Sequence, residues 1–258
     1  ATWLWVRDDP SERGYAGHTF ITEDQADQAP SQSPARMLSG LGRVFAYRNT
    51  WLLFLAPGGM VGPVLAFAGL WGVPFLKARY GLPQTDGAAV CSLIMVTWAL
   101  GSPILGGLSD RIKRRKLLNL TGSALNLVCW GLMIYAPGLP LWAFACLAGI
   151  AGFACGGMII SFAFAKESVP SHLAGTVSGL INMGVMMGPT LLQPAIGYML
   201  DLNWTGAMTG GVRVYEPVAF EAAFSLMMIW ALAGTILLCF TKETRCQQLE
   251  AQTRAAGV

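Results

Sequence analysis

Charged residues are scarce in this sequence. Only 12% of its 258 residues are Asp, Glu, Lys or Arg, whereas 54% are hydrophobic, and soluble domains carry about 25% charged residues. The mean hydropathy is +0.51. This composition argues against a water-soluble domain. The pI near 8.6 requires no nucleic-acid partner, because membrane topology accounts for an excess of cations.

Histidine is nearly absent, and cysteine occurs without a pattern. The two histidines, His18 and His172, lie in a linker and a turn, and neither has the set of partner residues that hydrolytic or metal chemistry requires. The six cysteines show no paired spacing, and five of them lie in apolar segments, where Cys behaves as a small hydrophobic residue. We therefore expect no metal site, no cofactor, no disulfide framework and no enzymatic activity.

Long apolar segments are abundant. A bilayer core of about 30 Å requires about 20 apolar residues per helix, and six segments satisfy this requirement. The predicted spans are 50–76, 86–109, 117–136, 140–165, 172–201 and 218–241. We expect their apolar cores to lack charge, so these spans provide neither a proton relay nor a Lys or Arg that binds an anion. The sequence thus predicts an all-α, polytopic membrane protein.

Residues 106–116 form a basic stretch between the second and third spans. The stretch reads GGLSDRIKRRK, with five cations in the six positions 111–116. This density of charge does not enter hydrocarbon, so we predict a tight turn on the cytoplasmic side, where positive charge is favoured. Asp110 suits the start of a neighbouring helix, because a carboxylate is stabilised there. A basic loop that only fixes topology is the open alternative.

The distribution of cations predicts the orientation. If six spans alternate, only Lys77, Arg79 and Arg213 of the 17 Lys and Arg residues fall on the side opposite the basic turn. The positive-inside rule then places both chain ends in the cytoplasm. We interpret the flanking regions as the end of a preceding transmembrane helix (1–6), a cytoplasmic central loop with an interfacial amphipathic helix (7–48) and a cytoplasmic tail (242–258). A short hydrophobic tag at 1–6 and a solvated linker helix are the alternatives.

The basic turn resembles a known family signature. Its spacing, Gly-x-x-x-Asp-Arg-x-x-Arg-Arg-Lys, is similar to a loop of major facilitator superfamily transporters, although that family usually has Gly where this chain has Lys113. The central-loop entry at 7–14 and the Lys-Glu-Thr sequence at 242–244 also resemble the second half of such a transporter. The resemblance implies two six-helix halves with the solute bound between them near mid-membrane, and it implies that this chain is the carboxyl-terminal half.

The expected function follows from the resemblance to this family. We expect a secondary active transporter that moves a small organic solute by alternating access in a bacterial inner membrane. Its expected partners are the solute, with a coupling proton left open, the lipid bilayer and the missing amino-terminal half. A membrane solute sensor that does not transport is the alternative, and a large soluble output domain would favour it.

Two groups of residues are candidates for the functional site. The first is a cytoplasmic gate. Glu167 ends the fourth span on the side of the basic turn, and the resemblance implies that these two turns lie close together and form an ion-pair cluster; the gate candidates are Gly106, Asp110, Arg111, Arg114, Arg115 and Glu167. The second is a set of polar or aromatic side chains for a solute cavity: Phe67, Trp71, Thr97, Trp98, Ser161, Asn182 and Gln193. For each member of the second set, helix packing is the alternative role.

Overall fold

The computed structural model describes residues 42–249, all within the compact unit Ser39–Val258. The predicted helix end at 1–6, most of the central loop at 7–48 and the last part of the tail lie outside the described residues. The helices are α1 Arg48–Ala66, α2 Gly72–Tyr80, α3 Gln84–Ile112, α4 Arg115–Tyr135, α5 Leu141–Cys155, α6 Ile159–Glu167, α7 Ala174–Leu202 and α8 Pro217–Cys239. A π-helical segment, Phe67–Trp71, joins α1 to α2, and a 3₁₀ turn, Gly156–Met158, joins α5 to α6.

Five helical stretches between residues 42 and 249 are long and apolar enough to cross a membrane. They are Arg48–Tyr80, Gln84–Ile112, Arg115–Tyr135, Leu141–Glu167 and Pro217–Cys239. Helix α7 is 29 residues long, but its Asn182, Gln193, prolines and glycines lower its hydropathy, and it is not one of the five. The prediction of an all-α, polytopic membrane protein is confirmed.

Helices α1 and α7 approach each other closely through glycine. A Cβ added at Gly184 would lie 1.7 Å from a carbonyl oxygen of α1, and one at Gly188 would lie 2.5 Å from another. Small residues permit this approach, which is how membrane helices gain packing contacts. By contrast, a Cβ at Gly175 or Gly179 would meet nothing within 4 Å. Of the two glycine pairs on this helix, only Gly184 and Gly188 bring the backbones together.

Helices α3 and α5 also approach each other closely through glycine. A Cβ at Gly152 would lie 2.4 Å from the carbonyl oxygen of Ile94, and one at Gly156 would lie 2.4 Å from the carbonyl carbon of Gly101. The row of small residues at intervals of four, which includes Ala148, thus faces α3. Close packing on this side leaves the opposite face of α3 exposed, with large apolar side chains along it.

An aromatic core fills one end of the bundle, where α1 passes into α2. Its members are Phe67, Phe75, Trp130, Phe144, Phe220 and Phe224, all at most 1% exposed. The Phe67 ring lies at the centre, with its centroid 5.1 Å from that of Trp130 and 5.8 Å from that of Phe75. Tilted and edge-on aromatic pairs at these separations stabilise a core beyond simple area burial.

A short hairpin connects α7 to α8. Strands β1 Met208–Thr209 and β2 Val212–Arg213 pair antiparallel across Gly210 and Gly211, whose φ angles are +59° and +80°. Positive φ at both central residues suits the tight turn of such a hairpin. Arg213 forms a 2.6 Å ion pair with Asp201 at the end of α7, and this pair ties the hairpin to the helix.

Candidate functional site

The basic turn between α3 and α4 is very short. Helix α3 ends at Ile112, Lys113 follows with φ +56°, and α4 begins at Arg115. The Lys113 N–H donates to the Ser109 carbonyl oxygen at 3.0 Å, which closes the last turn of α3. The left-handed backbone at Lys113 is the conformation that favours glycine at a helix end. This explains in physical terms why the related signature has Gly at this position.

Arg115 is the centre of a charged cluster. Its side chain is 8% exposed and forms ion pairs with Asp110 at 2.6 Å and with Glu167 at 2.8 Å. It also donates to the Ser109 hydroxyl at 3.2 Å. A buried guanidinium needs such partners, because an uncompensated charge there costs several kcal/mol. The sequence places Arg115 in the basic turn, and the structure joins it to the end of α6.

The segment after α8 completes the cluster. The Glu243 carboxylate accepts hydrogen bonds from the backbone N–H groups of Arg115 at 2.9 Å and of Lys116 at 3.0 Å. It therefore caps α4, whose own N-cap side chain makes no bond, and a carboxylate at a helix N-terminus is favourable. The Thr244 hydroxyl donates to Glu167. We call these residues, Asp110, Arg115, Glu167, Glu243 and Thr244, the basic-end cluster.

Asn49 links the start of α1 to the same end of the bundle. Its amide nitrogen donates to the Ser168 hydroxyl at 2.8 Å and to the Lys242 carbonyl at 2.9 Å, and its oxygen accepts from the Lys242 N–H at 2.9 Å. The side chain is buried. The ends of α1, α6 and α8 are thus held by one amide group beside the basic-end cluster.

The other gate candidates take no part in this cluster. Arg111 and Arg114 are exposed and form no ion pair within residues 42–249. Gly106 lies against α6, where an added Cβ would be 3.4 Å from Ile159. Of the five cations in the turn, Arg115 is the one that pairs with Glu167, because it is the one at the helix start that faces α6.

Three cavity candidates are used for packing. Phe67 is 1% exposed within the aromatic core. Ser161 is fully buried and accepts a 2.7 Å hydrogen bond from Asn119. The Thr97 hydroxyl donates to the carbonyl oxygens of Leu93 and Ile94 on its own helix.

Trp71 and Gln193 form a link between the π-helical segment and α7. The Trp71 indole N–H donates to the Gln193 backbone carbonyl at 3.0 Å, and the Gln193 amide donates to the Leu65 carbonyl at 3.2 Å. A π-helical segment disturbs the regular ladder of helix hydrogen bonds, and such segments recur at functional sites. Both side chains are half-buried, as is Trp98, whereas Asn182 is exposed on α7.

Sequence reasoning missed several residues. Glu243, Thr244 and Asn49 hold the basic end together, and the available signal was a carboxylate directly after the last span, on the side of the basic turn. Glu221 lies inside the predicted span 218–241, in the second turn of α8, so the expectation of uncharged span cores is wrong at this residue. The prediction overlooked it because the apolar run continues on both sides.

Comparisons with known proteins agree on a family. A family model described as Major Facilitator Superfamily matches residues 1–192. Multidrug resistance protein MdtG of Klebsiella pneumoniae (strain 342) is 25% identical over 155 residues, which cover 60% of this chain and 37% of that protein. MdtG of Salmonella choleraesuis (strain SC-B67) is 28% identical over 183 residues, covering 71% of this chain and 42% of that protein. The D-xylose transporter of Levilactobacillus brevis is 30% identical over 145 residues, covering 53% and 28% respectively.

Proposed function

This chain belongs to the major facilitator superfamily, and from that premise we propose that it is part of a secondary transporter, which moves a small organic solute across the membrane by alternating access. The names of two of its relatives, a multidrug resistance protein and a D-xylose transporter, support transport as the activity. The chain spans less than half the length of these relatives. We propose that it supplies the carboxyl-terminal six-helix half, which a second half completes.

We propose six membrane spans, with α7 as the fifth. Its 29 residues equal the length of α3, and its glycine contacts with α1 are typical of helices packed within a membrane bundle. The excess of cations at the basic end supports a cytoplasmic location for that end and for both chain ends. The bacterial relatives support a bacterial inner membrane.

The solute that we propose is small and weakly charged. Exposed residues of α7 at intervals of four, Asn182, Met186 and Thr190, form a stripe with Met183 beside it. Methionine is flexible and polarisable and is frequent at surfaces that accept varied ligands. Asn182, together with the half-buried Trp71, Trp98 and Gln193, keeps its place as a cavity candidate. The contacts of Phe67, Thr97 and Ser161 are internal, which favours helix packing as the role of these three candidates.

The basic-end cluster is proposed as the inner gate. The observation that carries this proposal is Arg115, which is buried between the turn after α3 and the end of α6. Removing one partner of a buried ion pair costs about 3–5 kcal/mol, and about 5.5 kcal/mol inverts a two-state population from 1:99 to 99:1. A cluster that is intact only in the outward-facing state therefore supplies most of the energy of such an inversion and shifts the balance between the two states strongly.

Glu167→Gln tests the gate in the full-length protein. The change removes the buried partner of Arg115 and keeps every cation, so the topology is unchanged. We expect solute uptake into proteoliposomes to fall and the inward-facing population to rise, since a charge-assisted hydrogen bond contributes about 1.5–3 kcal/mol. The population is measured as the rate at which an impermeant reagent labels Asn182→Cys from the cytoplasmic side, with Cys246→Ser removing the tail thiol.

Asp110→Asn is the second arm of the same test. It removes the other carboxylate that pairs with Arg115, but the Asp110 side chain is 65% exposed, so this pair contributes only about 0–1 kcal/mol and uptake should fall less than in the Glu167→Gln protein. Equal uptake and labelling in the Glu167→Gln protein and its parent would reduce the cluster to a topology marker. If the full-length protein binds a solute that its proteoliposomes never accumulate, the sensor alternative is correct and transport is wrong.

A further inference from the structure

A cavity of about 510 Å³ lies beside the basic turn and is separate from the buried Arg115. Four cations line it: Lys113, Arg114, Lys116 and Arg245. Among the described residues that line it, the one carboxylate is Glu243, which accepts hydrogen bonds from the backbone N–H groups at the start of α4. The described lining of the cavity therefore carries more positive than negative charge, and its carboxylate already has partners.

The four cations differ in their hydrogen-bond and ion-pair partners. The Lys116 ammonium donates to the Cys239 carbonyl at 2.6 Å, at the end of α8. Lys113, Arg114 and Arg245 are exposed and have no ion pair among residues 42–249. Three positive groups around one opening, none of them in an ion pair among residues 42–249, are arranged to bind an anion.

Three apolar side chains also line the cavity. Ile112 ends α3, and Leu117 and Leu120 lie on the first turns of α4. Ile112 is 45% exposed and Leu117 is 44% exposed. A site for a free inorganic anion gains nothing from exposed leucine and isoleucine, whereas a site at the edge of a membrane meets acyl chains there. Basic pockets between membrane helices recognise anionic headgroups in this way.

We propose that this cavity binds an anionic phospholipid, with the headgroup phosphate among Lys113, Arg114 and Arg245 and an acyl chain along Leu117 and Leu120. The site uses the membrane location of the helices and does not depend on transport. Because Glu243 lines the cavity and also caps α4, a bound lipid would lie directly beside the basic-end cluster.

The proposal is tested by counting lipids retained on the full-length protein. The protein is released from nanodiscs of phosphatidylcholine with phosphatidylglycerol, and adducts are counted by native mass spectrometry. The test uses a triple variant, Lys113→Gln with Arg114→Gln and Arg245→Gln. Its phosphatidylglycerol retention should fall about a hundredfold, because each surface cation contributes about 1 kcal/mol to anionic lipid binding.

The matched control removes three other cations from the same end of the bundle. Arg43, Lys166 and Lys242 are exposed and do not line the cavity, and their change to Gln should leave retention within a factor of about three. Equal losses in the two triple variants would mean diffuse attraction to a charged surface and would overturn the proposal.

Two further measurements separate a lipid from a soluble anion. Leu117→Gln with Leu120→Gln keeps all four cations and should still lower phosphatidylglycerol retention, because the acyl contact is lost. Glycerol phosphate, which has the headgroup chemistry without acyl chains, should not displace the lipid at equal concentration. Displacement by glycerol phosphate, or unchanged retention in the leucine variant, would make this a soluble-anion site and the lipid proposal wrong.

Discussion

Lys113 shows what a single backbone conformation demands. With φ +56°, this residue ends α3 in the left-handed region, where an L side chain costs about 1–2 kcal/mol and glycine costs almost nothing. The position is the one at which this chain departs from the related signature. This chain has lysine here despite the local backbone strain. Lys113 lines the basic cavity, and binding an anion there is one function that its cation can serve.

Lys113→Gly should therefore stabilise the protein. We expect a net gain of about 0.5–1 kcal/mol, because relief of strain is partly offset by the greater chain entropy that glycine loses on folding. The measurement is the thermal midpoint of the full-length protein in detergent, which should rise. Lys166→Gly is the control: Lys166 is also exposed but lies within α6, so glycine there should lower the midpoint at a cost of about 1 kcal/mol. A fall in both variants would contradict the strain argument.

Helix α4 shows how one element depends on its neighbours. Glu243 from the segment after α8 caps its amino end. At its carboxyl end the Arg79 guanidinium donates to the carbonyl oxygens of Met133, Ile134 and Ala136 at 2.6–3.0 Å. Opposite charges thus complement both ends of the helix dipole, and neither charge belongs to α4 itself. Arg79 precedes the first residue of this helix by 36 positions, and Glu243 follows that residue by 128 positions. The helix is therefore positioned by residues that are distant from it in the chain.

The close contact between α1 and α7 predicts how glycine substitutions on α7 change stability. Gly184→Ala places a methyl group where the Phe54 carbonyl lies, so the two helices must separate and lose their close contacts. We expect a loss of about 2 kcal/mol or more, in the range of an overpacked core, read as a lower thermal midpoint in detergent. Gly179→Ala on the same helix meets open space and should raise stability slightly through helix propensity. Equal midpoints in the two variants would show that the helices do not approach as closely as described.

Orientation is a property of the whole molecule, and Cys246 reports it. The distribution of cations predicts that this thiol, which follows α8 on the side of the basic turn, is cytoplasmic. An impermeant maleimide should label it from the cytoplasmic side of inverted vesicles and not from outside intact cells, with Cys246→Ser as the control for other thiols. Labelling from outside would reverse the proposed topology.

The same thiol gives a pH dependence. Burial raises the pKa of Cys246 above its ordinary value, although the nearby Arg115 guanidinium opposes the shift. Since only the thiolate reacts, labelling at neutral pH should be slow and should accelerate as pH rises towards that raised pKa. Glu167→Gln removes a nearby negative charge that also raises this pKa, so labelling of the variant should accelerate at lower pH.

The apolar runs and the basic turn were enough to determine the class of the molecule. Hydrophobic length is a local property, and the cost of placing Lys or Arg in hydrocarbon does not depend on the rest of the fold. The sequence alone therefore predicted the all-α, membrane-spanning architecture and a turn within 106–116, which the structure confines to Lys113 and Arg114. The family resemblance also put Asp110, Arg115 and Glu167 in one candidate cluster, together with Gly106, Arg111 and Arg114, which take no part in it.

Only the tertiary structure decided which of these residues meet. Five cations in the basic turn look alike in sequence, but a buried ion pair requires one side chain at one angle on a packed helix, and that side chain belongs to Arg115. Phe67 and Ser161 looked like cavity groups, because sequence cannot tell whether a polar or aromatic side chain faces a neighbour or an opening. Glu243 and Thr244 join the cluster, and Asn49 lies beside it, through contacts between residues more than 70 positions apart, since helix ends that are distant in the chain converge where the bundle packs.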